Sequence, residues 1–226
     1  MINYNNSYNL QIESAYIITI KDNQISEELS HRCAKSCSEV EQPYKIFNAF
    51  DGTSGKIVIP DEYKNAPWLK WIKLYTNVLS PTQISCFYSH FALWTKCLEL
   101  DRPIIILEHD SIVQKKLDYH CAYNSIIYLG SSEQKSESMP VQPLVPPHGT
   151  SEDGRHRFIC RAHAYSIDPA IAKNLISHVI KFGITTSLDV TIRSDIFPIC
   201  QVGLYAYDKF EKSTIHKDWK YLEIGL

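Results

Sequence analysis

The stretch Pro103-Ile-Ile-Ile-Leu-Glu-His-Asp110 decides the fold. Four aliphatic residues, Ile104 to Leu107, run without a break into Glu108 and Asp110. An unbroken apolar run of this length suits a strand covered on both faces, as in a parallel sheet of an α/β domain. In open α/β sheets, ligands bind outside the carboxyl ends of the strands. Two carboxylates one residue apart at such an end can both turn toward a single cation.

Immediately upstream, Ser80-Pro81-Thr82-Gln83 forms a capping box with proline at the first helical position. Ile84, Phe87, Tyr88, Phe91, Trp94 and Leu98 then mark an apolar stripe at helical spacing. On this helix Ser89 and His90 point in different directions. His90 is a candidate ligand contact, with a hydrogen-bonded buried histidine as the alternative. Further back, Ala15 to Ile20 is a strand, Ser26 caps a helix running to about Cys37, and Tyr44 to Phe50 is a second strand closed by the turn pair Asp51-Gly52. Strand, helix and strand in this order make a βαβ unit. Trp68, Trp71 and Tyr75 fall on one face of a short helix near 67–76, as core packing or as a sugar-stacking platform.

Downstream, residues 111–130 hold a turn, a short helix and the strand Ser125 to Leu129. A Pro- and Ser-rich loop at about 131–157 is long enough to be a mobile lid or an acceptor loop. Phe158 to Ile167 is a strand or strand pair. Asp168 caps the next helix, which starts at Pro169 and closes at Gly183. Asp189 lies in a further short helix, Asp195 to Tyr205 supplies one or two strands, and His216 sits in a polar, aromatic tail. The expected organisation is a flexible leader over 1–14 and a single α/β domain over 15–226, with a mixed, mainly parallel sheet flanked by helices.

The chain has 226 residues, 44% hydrophobic and 21% charged, with a net charge of -2. With no basic surplus to neutralise phosphates, a general nucleic-acid binder is excluded. The polar start lacks a signal-peptide pattern, and no apolar run approaches the ~20 residues of a membrane helix. A cytoplasmic location is expected, with peripheral membrane contact left open. Seven cysteines, odd in number and scattered, read as reduced and mostly buried thiols. Cys160-x-x-His163 lacks the second half of a zinc motif.

The order of these segments resembles glycosyltransferase family 25, the group containing bacterial lipopolysaccharide galactosyltransferases and collagen galactosyltransferases. The matching pieces are Ala15 to Ile20, Phe47-Asn-Ala-Phe-Asp-Gly52, Ile84 to His90 with Ala92-Leu-Trp94, Ile104 to Asp110, Ala162 to Ile167, and Leu188-Asp189. The family carries Glu-Asp-Asp where this chain has Glu108-His109-Asp110, and a glycine where it has Ser85. The family's arginine-rich stretch has no counterpart in residues 21–30.

The resemblance implies a GT-A, Rossmann-like fold. It also implies a metal-dependent, inverting transfer of a hexose, galactose or glucose favoured, from a UDP-sugar to a glycan or other hydroxyl acceptor in lipopolysaccharide biosynthesis. In that reading Asp110 and Glu108 hold Mn²⁺ or Mg²⁺, with His216 as a further ligand. Asp51, Gly52, His90, Glu108 and His109 contact the donor, and Asp189 is the general base. Two alternatives remain: an inactive nucleotide- or sugar-binding homologue, and a nucleotidyltransferase. The second would need a glycine-rich loop after the first strand, and residues 21–30 contain no glycine.

Overall fold

Strand β3 (Ile104–Glu108) lies inside a seven-stranded sheet, and its side chains alternate between two cores. The computed structural model describes residues 9–132, 149–150, 157–159 and 162–208. Ile104 and Ile106 face one core, while Ile105 and Leu107 face the other. Helix α2 (Pro81–Leu100) and helix α3 (Pro169–Phe182) cover the first core with Phe87, Phe91, Trp94, Ile171, Leu175 and Val179. Helix α1 (Gln24–Glu39) covers the second with Cys33, Ala34 and Cys37. With both faces covered, β3 has no polar alternation.

The sheet order is β2-β1-β3-β8-β5-β9-β4. Here β1 is Ala15–Thr19, β2 Tyr44–Asn48, β4 Ser111–Val113, β5 Ile126–Ser132, β8 Ala164–Ile167 and β9 Ile199–Asp208. The pairs β1 with β2, β1 with β3 and β5 with β9 are parallel; β3 with β8, β5 with β8 and β4 with β9 are antiparallel. This is the mixed α/β architecture expected. A short hairpin of β6 (Gly149–Thr150) and β7 (Arg157–Phe158) stands apart. The chain leaves β1 toward β2 and then returns to place β3 on the other side of β1. The strand order therefore reverses between β1 and β3, at the carboxyl ends where α/β folds bind ligands.

The helix boundaries follow from local chemistry. Ser80 Oγ accepts from Gln83 N at 3.2 Å, and Ser80 N donates to Gln83 Oε1 at 2.9 Å, completing the capping box. Asp168 Oδ1 accepts from Ile171 N at 2.8 Å with Pro169 behind it, and Gly183 ends α3 at φ 72°. For α1 the expected cap is corrected. Asn23 Oδ1 accepts from Ser26 N, so the helix starts earlier, and Ser26 is free for a long-range contact described below.

Other expectations are corrected by non-local packing. Residues 10–14 are not a free leader: Leu10 O accepts from His120 N, Ile12 N donates to Asp118 O, and Glu13 N donates to Pro103 O. Residues 1–8 lie outside the described residues, as does most of the expected loop at about 131–157. No helix forms over the described residues 111–130; β4 forms instead. The segment near 67–76 is helical only as a 3-10 turn over Pro67–Lys70. Leu74 then bridges Ile184 in extended form, so Trp68 is buried while Trp71 and Tyr75 remain 53% and 60% exposed.

Candidate functional site

A cavity of about 50 Å³ opens at the carboxyl ends of β1 and β3. Ile18 and Ile20 line it from β1, Ala49, Phe50 and Gly52 from the segment after β2, and Thr82, Ser85, Cys86, Ser89 and His90 from α2. Glu108, His109 and Asp110 form its floor. Thus Gly52, His90, Glu108, His109 and Asp110 line one cavity.

His90 is fully buried and fixed from behind. Its Nδ1 lies 2.8 Å from Tyr165 Oη, to which Trp94 Nε1 donates at 3.0 Å, and the imidazole stacks on the Tyr165 ring. Its Nε2 faces Glu108 Oε1 at 3.4 Å. Cys86 Sγ donates to the same carboxylate oxygen at 3.6 Å. Burial pushes the Glu108 carboxyl up, but the adjoining His90 wins and holds it below the usual range. Burial and the charges of Glu108 and Asp189 push the Cys86 thiol well up.

His109 is anchored by the first βα connection. Ser26 Oγ accepts from Ile20 N at 2.8 Å and lies 2.8 Å from His109 Nδ1. Burial lowers the pKa of His109 against the pull of Glu108, so the ring is held neutral. Burial, then the charges of Glu108 and Asp208, push the Asp110 carboxyl up to about 8. Asp110 Oδ1 is buried with no hydrogen-bond partner among the described residues. Carboxylates that crowd one another in this way, with an unpaired oxygen on the cavity floor, fit a hard dication such as Mg²⁺ or Mn²⁺. Arg32 on α1 donates from Nη2 to the Asp110 carbonyl at 3.3 Å and adds positive charge beneath the floor.

The other expected residues lie further off. Asp51 lines an adjoining groove with Lys21, Asn48 and Ile59, and its Oδ1 accepts from Thr53 N at 2.8 Å and Thr53 Oγ1 at 2.7 Å. Asp189 stands in α4 (Leu188–Thr191), where its Oδ1 accepts from Ser187 Oγ at 2.6 Å and Val190 N at 3.1 Å. Its charge reaches the Cys86 thiol, but its side chain does not line the cavity. His216 lies outside the described residues.

Sequence reasoning missed four members of the site: Cys86, Arg32, Asp208 and Tyr165. Cys86 and His90 are spaced i, i+4 on one helix, which was a usable sign of a shared face. Asp208 carried none, because β9 runs past Tyr205 by pairing with the distant strands β4 and β5. Against known proteins, the family model described as Glycosyltransferase family 25 (LPS biosynthesis protein) matches residues 12–192. No match is found among curated proteins.

Proposed function

Because this chain belongs to glycosyltransferase family 25, it is a glycosyltransferase, and we propose that it moves a hexose from a UDP-sugar to a hydroxyl acceptor by a metal-assisted, inverting displacement. The observation that carries this reading is the convergence of Glu108, His109 and Asp110 with Gly52 and His90 in one cavity at the strand-order reversal. Galactose or glucose is the favoured hexose. The family's description favours a lipopolysaccharide precursor as acceptor. A cytoplasmic site of action agrees with this, and no helix among the described residues is long and apolar enough to cross a membrane.

In this reading Asp110, with Glu108 beside it, holds Mn²⁺ or Mg²⁺, and His216 is a further proposed ligand. A divalent cation supplies neutralisation of the leaving diphosphate. Arg32, bonded to the Asp110 carbonyl, adds fixed positive charge beneath the floor. His90 and Cys86 orient Glu108 toward the donor. Asp51 lines the groove in which the nucleotide base would lie, and Gly52 lines the adjoining cavity. The acceptor oxygen forms a bond to the anomeric carbon as the bond to UDP breaks, and Asp189 takes the hydroxyl proton. UDP release from UDP-galactose and UDP-glucose in the presence of Mn²⁺, across a panel of glycan acceptors, tests this. Binding of UDP without turnover of any donor would favour the inactive homologue instead.

A further inference from the structure

Cys86 and His90 stand one turn apart on α2 and face Glu108 at the end of β3. Cys86 Sγ is 3.6 Å and His90 Nε2 is 3.4 Å from the same Glu108 oxygen, and the donor atoms all lie within 4.8 Å of one another. A tetrahedral zinc ion with bonds of about 2.3 Å to sulfur and about 2.0–2.1 Å to nitrogen and oxygen has S···O edges of about 3.6 Å and N···O edges of about 3.4 Å. Two of the three donor pairs therefore already stand at the edge lengths of such a polyhedron, and the third pair lies within 4.8 Å. His90 is fully buried, and its Nε2 has no hydrogen-bond partner among the described residues. Metal binding takes the tautomer with the proton on Nδ1, donated to Tyr165 Oη, which frees the lone pair of Nε2, 3.4 Å from Glu108 Oε1. An outer hydrogen bond of this kind orients a ligating imidazole.

We propose that Cys86, His90 and Glu108 form a binding site for a thiophilic divalent transition metal, with Zn²⁺ as its natural occupant. Three protein ligands leave a fourth position open to the cavity, as in zinc sites that exchange water or substrate. On binding, the Cys86 sulfur forms a bond to the metal and its proton passes to solvent. The donor set separates this site from the Asp110 carboxylates: a thiolate and an imidazole select Zn²⁺ or Co²⁺ and reject Mg²⁺. Metal bound here withdraws Glu108 from the donor-sugar site, so Zn²⁺ should inhibit sugar transfer. That consequence rests on the function proposed above; the binding itself does not.

Co²⁺ titration of the full chain, stripped beforehand with chelator, tests the site without any activity assay. The expected result is a thiolate-to-metal absorption in the near ultraviolet and intense visible bands of a four-coordinate ion, saturating at one equivalent and lost on adding Zn²⁺. Cys86→Ser should abolish the near-ultraviolet band, while Cys121→Ser, at an exposed thiol, should leave it intact. Glu108→Gln keeps the thiol and should weaken Co²⁺ binding by at least about tenfold. The proposal is overturned if the parent chain shows no thiolate band, if the band survives in Cys86→Ser, or if Glu108→Gln binds Co²⁺ as tightly as the parent. Zinc binding without glycosyl transfer would leave the metal site standing and refute only the enzymatic reading.

Discussion

Replacing Gly52 with alanine should force the segment after β2 away from the first turn of α2. A Cβ at Gly52 would fall inside 3.0 Å of the Pro81 carbonyl and the Thr82 nitrogen, all backbone atoms, whereas ordinary contact begins at 3.4 Å. Neither side yields easily. The Thr82 backbone belongs to a turn locked by the Ser80–Gln83 capping box, and the loop is tied by Phe50 N donating to Ser89 Oγ at 3.0 Å. Overpacking of this kind costs about 1–3 kcal/mol. For a protein of this size each kcal/mol lowers Tm by roughly 2–4 °C, so a fall of roughly 2–12 °C is expected. Gly52, Thr82 and Phe50 share the cavity lining, so KM for the donor should rise as well. Gly55→Ala is the control. That glycine has φ 82° but open space around it, so only left-handed backbone strain of about 1–2 kcal/mol applies. Calorimetric melting curves of both variants decide the matter. If Gly52→Ala melts with the parent protein, the close backbone approach is not what requires glycine here.

Ser89→Ala strands the buried Phe50 N–H and should cost about 1–3 kcal/mol, read from denaturant unfolding. Asp110, raised to about 8, binds its proton more tightly in the folded state than in the unfolded one. In metal-free protein, stability should therefore fall as pH rises from about 4 to 8, by up to about 1.4 kcal/mol per pH unit. Asp110→Asn should remove that slope and raise Tm at neutral pH; an unchanged slope would contradict the burial argument. His120 is the opposite case. Burial depresses its pKa although Asp168 lies 3.7 Å away, and its ring bonds Ser166 Oγ and the Ser125 carbonyl. The unfolded chain takes up this proton first, so stability is lost as pH falls below about 6.5, and His120→Gln should flatten that part of the profile.

Much of the frame was legible because it is local. The Ser80 capping box, the Asp168 cap and the aliphatic run of β3 each specify their element within a few residues. The strand end carrying Glu108 and Asp110 followed from the same run. Features set by distant partners were not legible. Ser26 looked like the cap of α1, but its hydroxyl serves Ile20 and His109, eighty-three residues away in sequence. The spacing of Trp68, Trp71 and Tyr75 suggested one helical face, yet pairing of Leu74 with Ile184 pulls the chain out of helix. Cys86 read as one scattered thiol among seven. Only the folding of α2 over β3 brings it to Glu108.

The most direct test compares UDP release from UDP-galactose and UDP-glucose, with and without Mn²⁺, in the parent chain and in Asp110→Ala. The expected result is Mn²⁺-dependent release by the parent, abolished by chelator, and a fall of at least about 100-fold in the variant, the scale of losing one electrostatic partner of a transition state. Equal turnover by Asp110→Ala, or release indifferent to the metal, would contradict the role given to the floor of the cavity.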